Sequence, residues 1–249
     1  MSPGCDHGSG GGVLVGDELR ARIHESDFGR RLFIVPILAD WQIQQSGVDL
    51  RLGNQFIVTR NARIGAIDPS QDSAEVKMAV LKYQERVIVP FFSGEAFVLH
   101  PGQLVLGSTF EYVCLPDDVE ARIDGRSSFA RLGLTIAGAV SIAPGFKGVI
   151  TLELANHHHT PLVLFPGWPI AQLVLSETKG SAPYKGKKYV CPIGPQFSRL
   201  STDASDKSLR MWSEPVSLHV APQGHGAVSP SPDRPEPADD ESLGTANSP

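Results

Sequence analysis

The residues able to do chemistry fall into short phrases. In Asp124-Gly125-Arg126-Ser127-Ser128-Phe129-Ala130-Arg131, the Asp-Gly pair opens a tight turn. A guanidinium, two hydroxyls and fresh backbone N–H groups then follow at the start of a short helix predicted over 127–132. That arrangement makes an anion cradle: free N–H groups favour phosphate, and arginine adds charge-assisted, bidentate hydrogen bonds. Arg131 lies one turn beyond Ser127 and Ser128 and would point the same way. A capped surface helix whose arginines pair with nearby carboxylates fits the same spacing.

In a second phrase, Ile142-Ala143-Pro144-Gly145-Phe146-Lys147 leads through a Pro-Gly turn into a predicted strand. There Ile150, Leu152 and Leu154 alternate with Val149, Thr151 and Glu153. A carboxylate in so apolar a strand is costly to bury unless it is satisfied or used. Desolvation would raise its pKa toward the range useful for shuttling protons. A glutamate on the solvent face of an edge strand gives the same pattern. His157-His158-His159 resembles a metal tract, but consecutive residues of extended chain point to opposite faces, and Pro161 follows; it reads as a solvated loop. The H-x-E and P-C-x-x-C signature of zinc deaminases is missing, since Cys191-Pro192 has the reverse order and no second cysteine. No zinc site is therefore expected. Lys185, Lys187 and Lys188, beside Tyr184 and Tyr189, read either as a solvated charge run or as a flap closing on phosphates. Trp41, Trp168 and Trp212 read as packing residues.

The elements that must position these groups are mostly strands. Runs at Leu32–Ile37, Val48–Leu52, Phe56–Val58, Arg86–Phe92, Ala96–Leu99, Leu104–Phe110, Ala121–Ile123, Gly148–Leu154, Pro161–Leu164 and Ile170–Leu175 are punctuated by Gly, Pro, Asn and Asp. Short runs at this spacing predict an all-β barrel or sandwich. A short helix is predicted after an Asp17 N-cap, with Leu19 and Ile23 on its apolar face.

The chain has 249 residues, 41% hydrophobic and 20% charged, the composition of a water-soluble globule. Residues 1–200 carry 19 acidic and 19 basic side chains; residues 201–249 carry 8 and 3, so the net charge of −5 lies in the tail. A neutral globule offers no electrostatic footprint for nucleic acid. No apolar run suits a membrane span, and no signal peptide opens the chain. Three scattered cysteines suit the reducing cytoplasm. Gly/Ser-rich residues 1–12 and the acidic, Pro-rich residues 203–249 read as disordered, leaving one domain over 13–202.

Together, Gly47–Asn54, Phe97–Gly102, Asp124–Leu134, Pro144–Glu153 and Pro166–Leu173 resemble the dCTP deaminase family of the trimeric dUTPase-like superfamily. The resemblance spans about residues 17–200, and its most specific phrase is Gly-Arg-Ser-Ser-x-Ala-Arg-Leu-Gly-Leu. It implies a distorted β-barrel or jelly-roll subunit, a homotrimer with active sites between subunits, and metal-free deamination of cytosine with Mg²⁺ carried on the triphosphate. Glu153 then matches the catalytic glutamate. Arg126, Ser127 and Ser128 match the phosphate-contacting stretch, and Arg131 matches the arginine near the glutamate and the pyrimidine. Ala139 matches an alanine whose backbone places the base or the water. Thr151 and Leu152 flank the glutamate in the pyrimidine-reading strand, and Gln172 matches a nucleotide-contacting glutamine. Tyr184 and Lys188 match the C-terminal lid.

Three positions depart from the family pattern. Ala143 replaces the aspartate that meets the deoxyribose 3′-hydroxyl and, in dUTPases, orients the hydrolytic water. The stretch Thr135–Ala139 is one residue short and lacks a common histidine. Pro192 stands where a glutamine is frequent. The expectation is dCTP deamination to dUTP, or deamination of another cytosine nucleotide. A non-catalytic nucleotide sensor is the alternative from a different class, and Ala143 disfavours a dUTPase.

Overall fold

The computed structural model describes residues 11–60, 82–137, 141–185 and 191–197. Helix α1 (Gly16–Ile23) comes first, then strand β1 (Phe33–Val35), a 3₁₀ turn (Asp40–Gln42), β2 (Val48–Arg51), β3 (Gln55–Thr59), β4 (Gln84–Ile88) and β5 (Phe97–Leu99). The long β6 (Leu104–Cys114), β7 (Val119–Gly125), α2 (Ser127–Ala130), β8 (Leu134–Ala137) and β9 (Ser141–Ile142) lead to β10 (Lys147–Asn156), β11 (Leu162–Leu164) and β12 (Pro169–Glu177). One sheet runs β4-β3-β6-β10-β8 with β1 also on β6; a second runs β2-β12-β7-β9; β5 and β11 pair separately. The paired strands are antiparallel. The mostly-β expectation holds, and each of the ten predicted runs overlaps a strand. Among the described residues the ladders do not close into a barrel.

The core is aliphatic. Leu50, Leu52, Phe56, Leu99, Leu154, Leu173 and Leu175 have no exposure, and each such side chain contributes about 1.5–3 kcal/mol by leaving water. Phe56 stacks on Phe97 at 4.2 Å between ring centroids.

Strand β6 organises the molecule. Between partners Tyr112 and Ser108 it advances four residues while β10 advances two, from Val149 to Thr151. Two extra residues keep the alternation in phase, so Val105, Gly107, Thr109, Glu111 and Val113 all stay buried. The Thr109 hydroxyl spans the bulge, accepting from the Ile150 N–H at 2.9 Å and donating to the Glu111 carbonyl at 2.8 Å. Glu111 is thereby placed in the core. Its carboxylate accepts from Arg51 Nε at 2.6 Å, from the Arg51 N–H at 2.8 Å and from Gln42 Nε2 at 3.1 Å. Arg51 also donates to the Pro36 carbonyl at 3.0 Å and lies 4.7 Å above the Phe110 ring. Burial pushes the Glu111 carboxyl above the usual carboxylate range, and Arg51 pulls it partly back.

Three details correct the sequence reading. Asp17 is not the N-cap of α1: Val15 holds that position, without a side-chain hydrogen bond, and Asp17 sits in the first turn, where a carboxylate complements the helix dipole. Leu19 and Ile23 do face the core. Strand β4 stops at Ile88, and Phe92, 97% exposed, turns with φ 58°. Trp41 and Trp168 are each half exposed, although Trp168 packs on Phe165 at 5.0 Å. Trp212 lies outside the described residues. Among those residues, no helix is long and apolar enough to cross a membrane.

Candidate active site

Strand β10 lies between β6 and β8, so Glu153 is not on an edge strand. It pairs with Leu106 on one side and with Ala137, where the β8 ladder ends, on the other. Leu152, Leu154 and Asn156 point into the core, whereas Thr151, Glu153 and Ala155 occupy the opposite, half-buried face. Leu152 therefore has only its backbone to offer a ligand.

Glu153 and Thr151 line a pocket of about 420 Å³ whose wall includes Ile142, Ala143, Phe146 and Tyr184. The Pro-Gly turn fixes one side. Gly145 adopts φ 73°, and a Cβ there would lie 2.8 Å from the Tyr184 backbone nitrogen, so only glycine lets the 184 segment approach. The Tyr184 ring then stands edge-on to Phe146 at 6.0 Å. The opposite rim is the segment 191–197. The Val149 N–H donates to the Pro192 carbonyl at 2.8 Å, and the Gln196 N–H to the Thr151 hydroxyl at 3.2 Å. Pro192 presses on Gly148, where a Cβ would sit 2.7 Å from Pro192 Cγ. Ala143, the position that departs from the family pattern, thus shares the pocket with Glu153.

Arg126, Ser127 and Ser128 are elsewhere in the chain. Arg126 precedes α2 in extended conformation; Ser127 and Ser128 are exposed, and Arg131, also exposed, ends the turn. The predicted helix is real but only four residues long. None of these four lines the Glu153 pocket. Arg126 Nη1 donates to the Pro169 carbonyl at 3.2 Å, and Nη2 lies 3.6 Å from Asp49 Oδ2. Gln172 on β12 pairs across to Asp49 and Asp124 and donates to Asp49 Oδ1 at 3.5 Å. Asp49 is 2% exposed. Burial raises its pKa from the ordinary value, with Arg126 and Gln172 opposing.

The structure thus forms two polar clusters, Glu153-Thr151-Tyr184 and Arg126-Gln172-Asp49. Ala139 and Lys188 lie outside the described residues. The three histidines occupy an exposed turn after β10, where Thr160 N–H bonds His158 Nδ1 at 3.1 Å. Sequence reading missed Asp49 and Glu111 as organising groups. The signal for Glu111 was present: a charged residue in phase with Val105, Thr109 and Val113.

A family model described as dCTP deaminase-like matches residues 13–178. The chain belongs to the dCTP deaminase-like family. It is 44% identical over 172 residues to a Dictyoglomus thermophilum protein named "dCTP deaminase, dUMP-forming", covering 67% of this chain and 84% of that one. It is 41% identical over 198 residues to a Haloarcula marismortui protein named "dCTP deaminase", covering 77% and 96%. Among solved structures, the 2′-deoxycytidine 5′-triphosphate deaminase of Agrobacterium tumefaciens superposes with a TM-score of 0.50 at 22% identity. That alignment covers 67% of this chain and 48% of that one, and it speaks to the fold alone. The family resemblance read from the sequence is borne out.

Proposed function

We propose that this protein deaminates the cytosine ring of dCTP, consuming water and releasing dUTP and ammonia. The observation that carries the reading is the placement of Glu153, a carboxylate held on a central strand and opening into a pocket with an apolar wall. In this mechanism Glu153 takes a proton from a water molecule as its oxygen bonds to C4 of the ring. Glu153 passes that proton to N3, then carries the proton of the new C4 hydroxyl to the exocyclic nitrogen, so that C4=O forms as the C4–N bond breaks and ammonia leaves. One carboxylate alternates between base and acid. Thr151 and the backbone of Leu152 read the pyrimidine beside it, Ala139 places the base or water, and Tyr184 and Lys188 close over the nucleotide.

Arg126, Ser127, Ser128 and Gln172 hold the phosphates and sugar, with Mg²⁺ carried on the triphosphate. Their separation from Glu153 within one chain supports a homotrimer in which neighbouring copies complete each site, Arg131 reaching the glutamate from there. Exclusion of water from such a cleft strengthens each polar contact. Among the relatives matched by the chain, some are named "dCTP deaminase, dUMP-forming" and others "dCTP deaminase". Ala143 favours dUTP as the product here, because the pocket lacks a carboxylate at that position to orient water for phosphate release.

The test is ammonia release and product mass from dCTP with Mg²⁺. Glu153→Gln should lower kcat by at least about a hundredfold while melting within a few degrees of the wild type. Saturable binding of dCTP without turnover by the wild type would replace the enzyme with a nucleotide sensor.

A further inference from the structure

We propose that Asp49 is a positioning residue, a buried carboxylate that aims Arg126 and Gln172 at the nucleotide. The inference rests on the reading above, in which those two side chains contact substrate. Asp49 lies on β2, Gln172 on β12 and Arg126 just after β7, so three adjacent segments of one sheet converge on a single side chain. Both carboxylate oxygens are engaged. Oδ1 accepts from Gln172 Nε2 at 3.5 Å; Oδ2 faces Arg126 Nη2 at 3.6 Å and Gln44 Nε2 at 3.5 Å.

Asp49 shows 2% of its surface, which makes direct contact with a triphosphate unsuitable for it and contact through a neighbour natural. Arg126 is different. Its side chain is 35% exposed; one η nitrogen is fixed on the Pro169 carbonyl and the other is drawn toward Asp49. Two anchors at one end of a planar guanidinium set its plane and leave its outward edge for a phosphate oxygen. A side chain already held in its bound geometry loses less freedom when the ligand arrives. Asp124, the other carboxylate in register with Gln172, is taken by Arg122 at 3.0 Å. Asp49 is therefore the anion toward which Arg126 is drawn.

Because burial favours the neutral form of this carboxyl, Asp49→Asn should fold, and its amide oxygen can still accept from one partner. The experiment is a double-mutant cycle on initial-rate kinetics with dCTP and Mg²⁺, comparing wild type, D49N, R126A and D49N/R126A, with a melting curve for each. D49N should raise KM about tenfold and leave kcat within about threefold, since a loosened Arg126 weakens binding before chemistry. Added to R126A, D49N should change kcat/KM by less than about twofold, because its amide oxygen still accepts from Gln172 and only the charge that draws Arg126 is lost. D49E, with the charge kept on a longer arm, should fall between D49N and wild type and provides the test should D49N fail to fold.

An unchanged KM in D49N, or a tenfold effect that persists on the R126A background, overturns the positioning role. An R126A variant that keeps the wild-type KM would instead remove the phosphate-binding reading on which the role depends.

Discussion

Removing the charge of Glu111 is the sharpest test of how the polar part of the core is built. Glu111 has no exposure and Arg51 only 6%. Three hydrogen bonds converge on the carboxylate, two from Arg51 and one from Gln42. In Glu111→Gln the shape is kept, but an NH₂ replaces one acceptor oxygen, so at least one N–H of Arg51 or Gln42 must face another donor. The guanidinium keeps the Pro36 carbonyl and the Phe110 ring but loses its counter-charge. Breaking a buried pair from one side costs about 3–5 kcal/mol. For a domain of this size that lowers the melting temperature by about 6–20 °C. Circular dichroism melts, paired with urea titrations to confirm an unchanged m-value, measure it. Replacing both partners, as Arg51→Met with Glu111→Leu, should recover most of the loss, because no orphaned charge remains. A Glu111→Gln protein melting within about 2 °C of wild type, or a double variant as unstable as the single one, would refute the assignment of Glu111 as the anchor of Arg51.

Other outcomes follow from the same geometry. Asp49 has a folded pKa above its unfolded one, so its contribution relative to Asn is fully present below the ordinary carboxylate value of about 4 and is lost as pH rises through the folded value. Paired melts of wild type and D49N should show the wild-type advantage shrinking as pH climbs, and a growing advantage would contradict this. Gly148→Ala should push Pro192 away from β10, raising KM for dCTP severalfold more than it lowers the melting temperature would explain; an unaltered KM would show that segment 191–197 does not shape the pocket. Cys191 is exposed, while burial pushes the half-buried Cys114 thiol up. Peptide mapping after brief treatment with a disulfide reagent should find Cys191 modified well before Cys114, and the reverse order would show the 191 turn closed over its thiol.

Much of the strand pattern was legible because it is local. Alternation or β-branched density marks all ten runs that overlap strands, and the Pro144-Gly145 turn marks the entry to β10. The chain's polar architecture was less legible. β8 and β9 are not legible: Leu134–Ala137 and Ser141–Ile142 are β-branched in part but too short to announce strands, and they form because β10 and β7 offer them edges. β6 was read only to Phe110, since Glu111 interrupts the apolar run; the bulge and Arg51 make that interruption part of the core. Glu153 was found because a carboxylate in an apolar strand is conspicuous along the sequence. Asp49 was not, because its meaning depends on residues 77 and 123 positions away that only the sheet brings together.

The close seating of Pro192 and Gln196 against β10 has a mechanical consequence. Fifty-two further residues follow Phe197, and their covalent root is the very stretch of chain that forms the pocket rim. Phe197 and Pro195 rest on Arg86 of β4, and Gln196 on Thr151 of β10, so a pull on Phe197 is felt by both strands, two residues from Glu153 on the second. A pull on Phe197 and occupancy of the cleft therefore act on the same seven residues, 191–197.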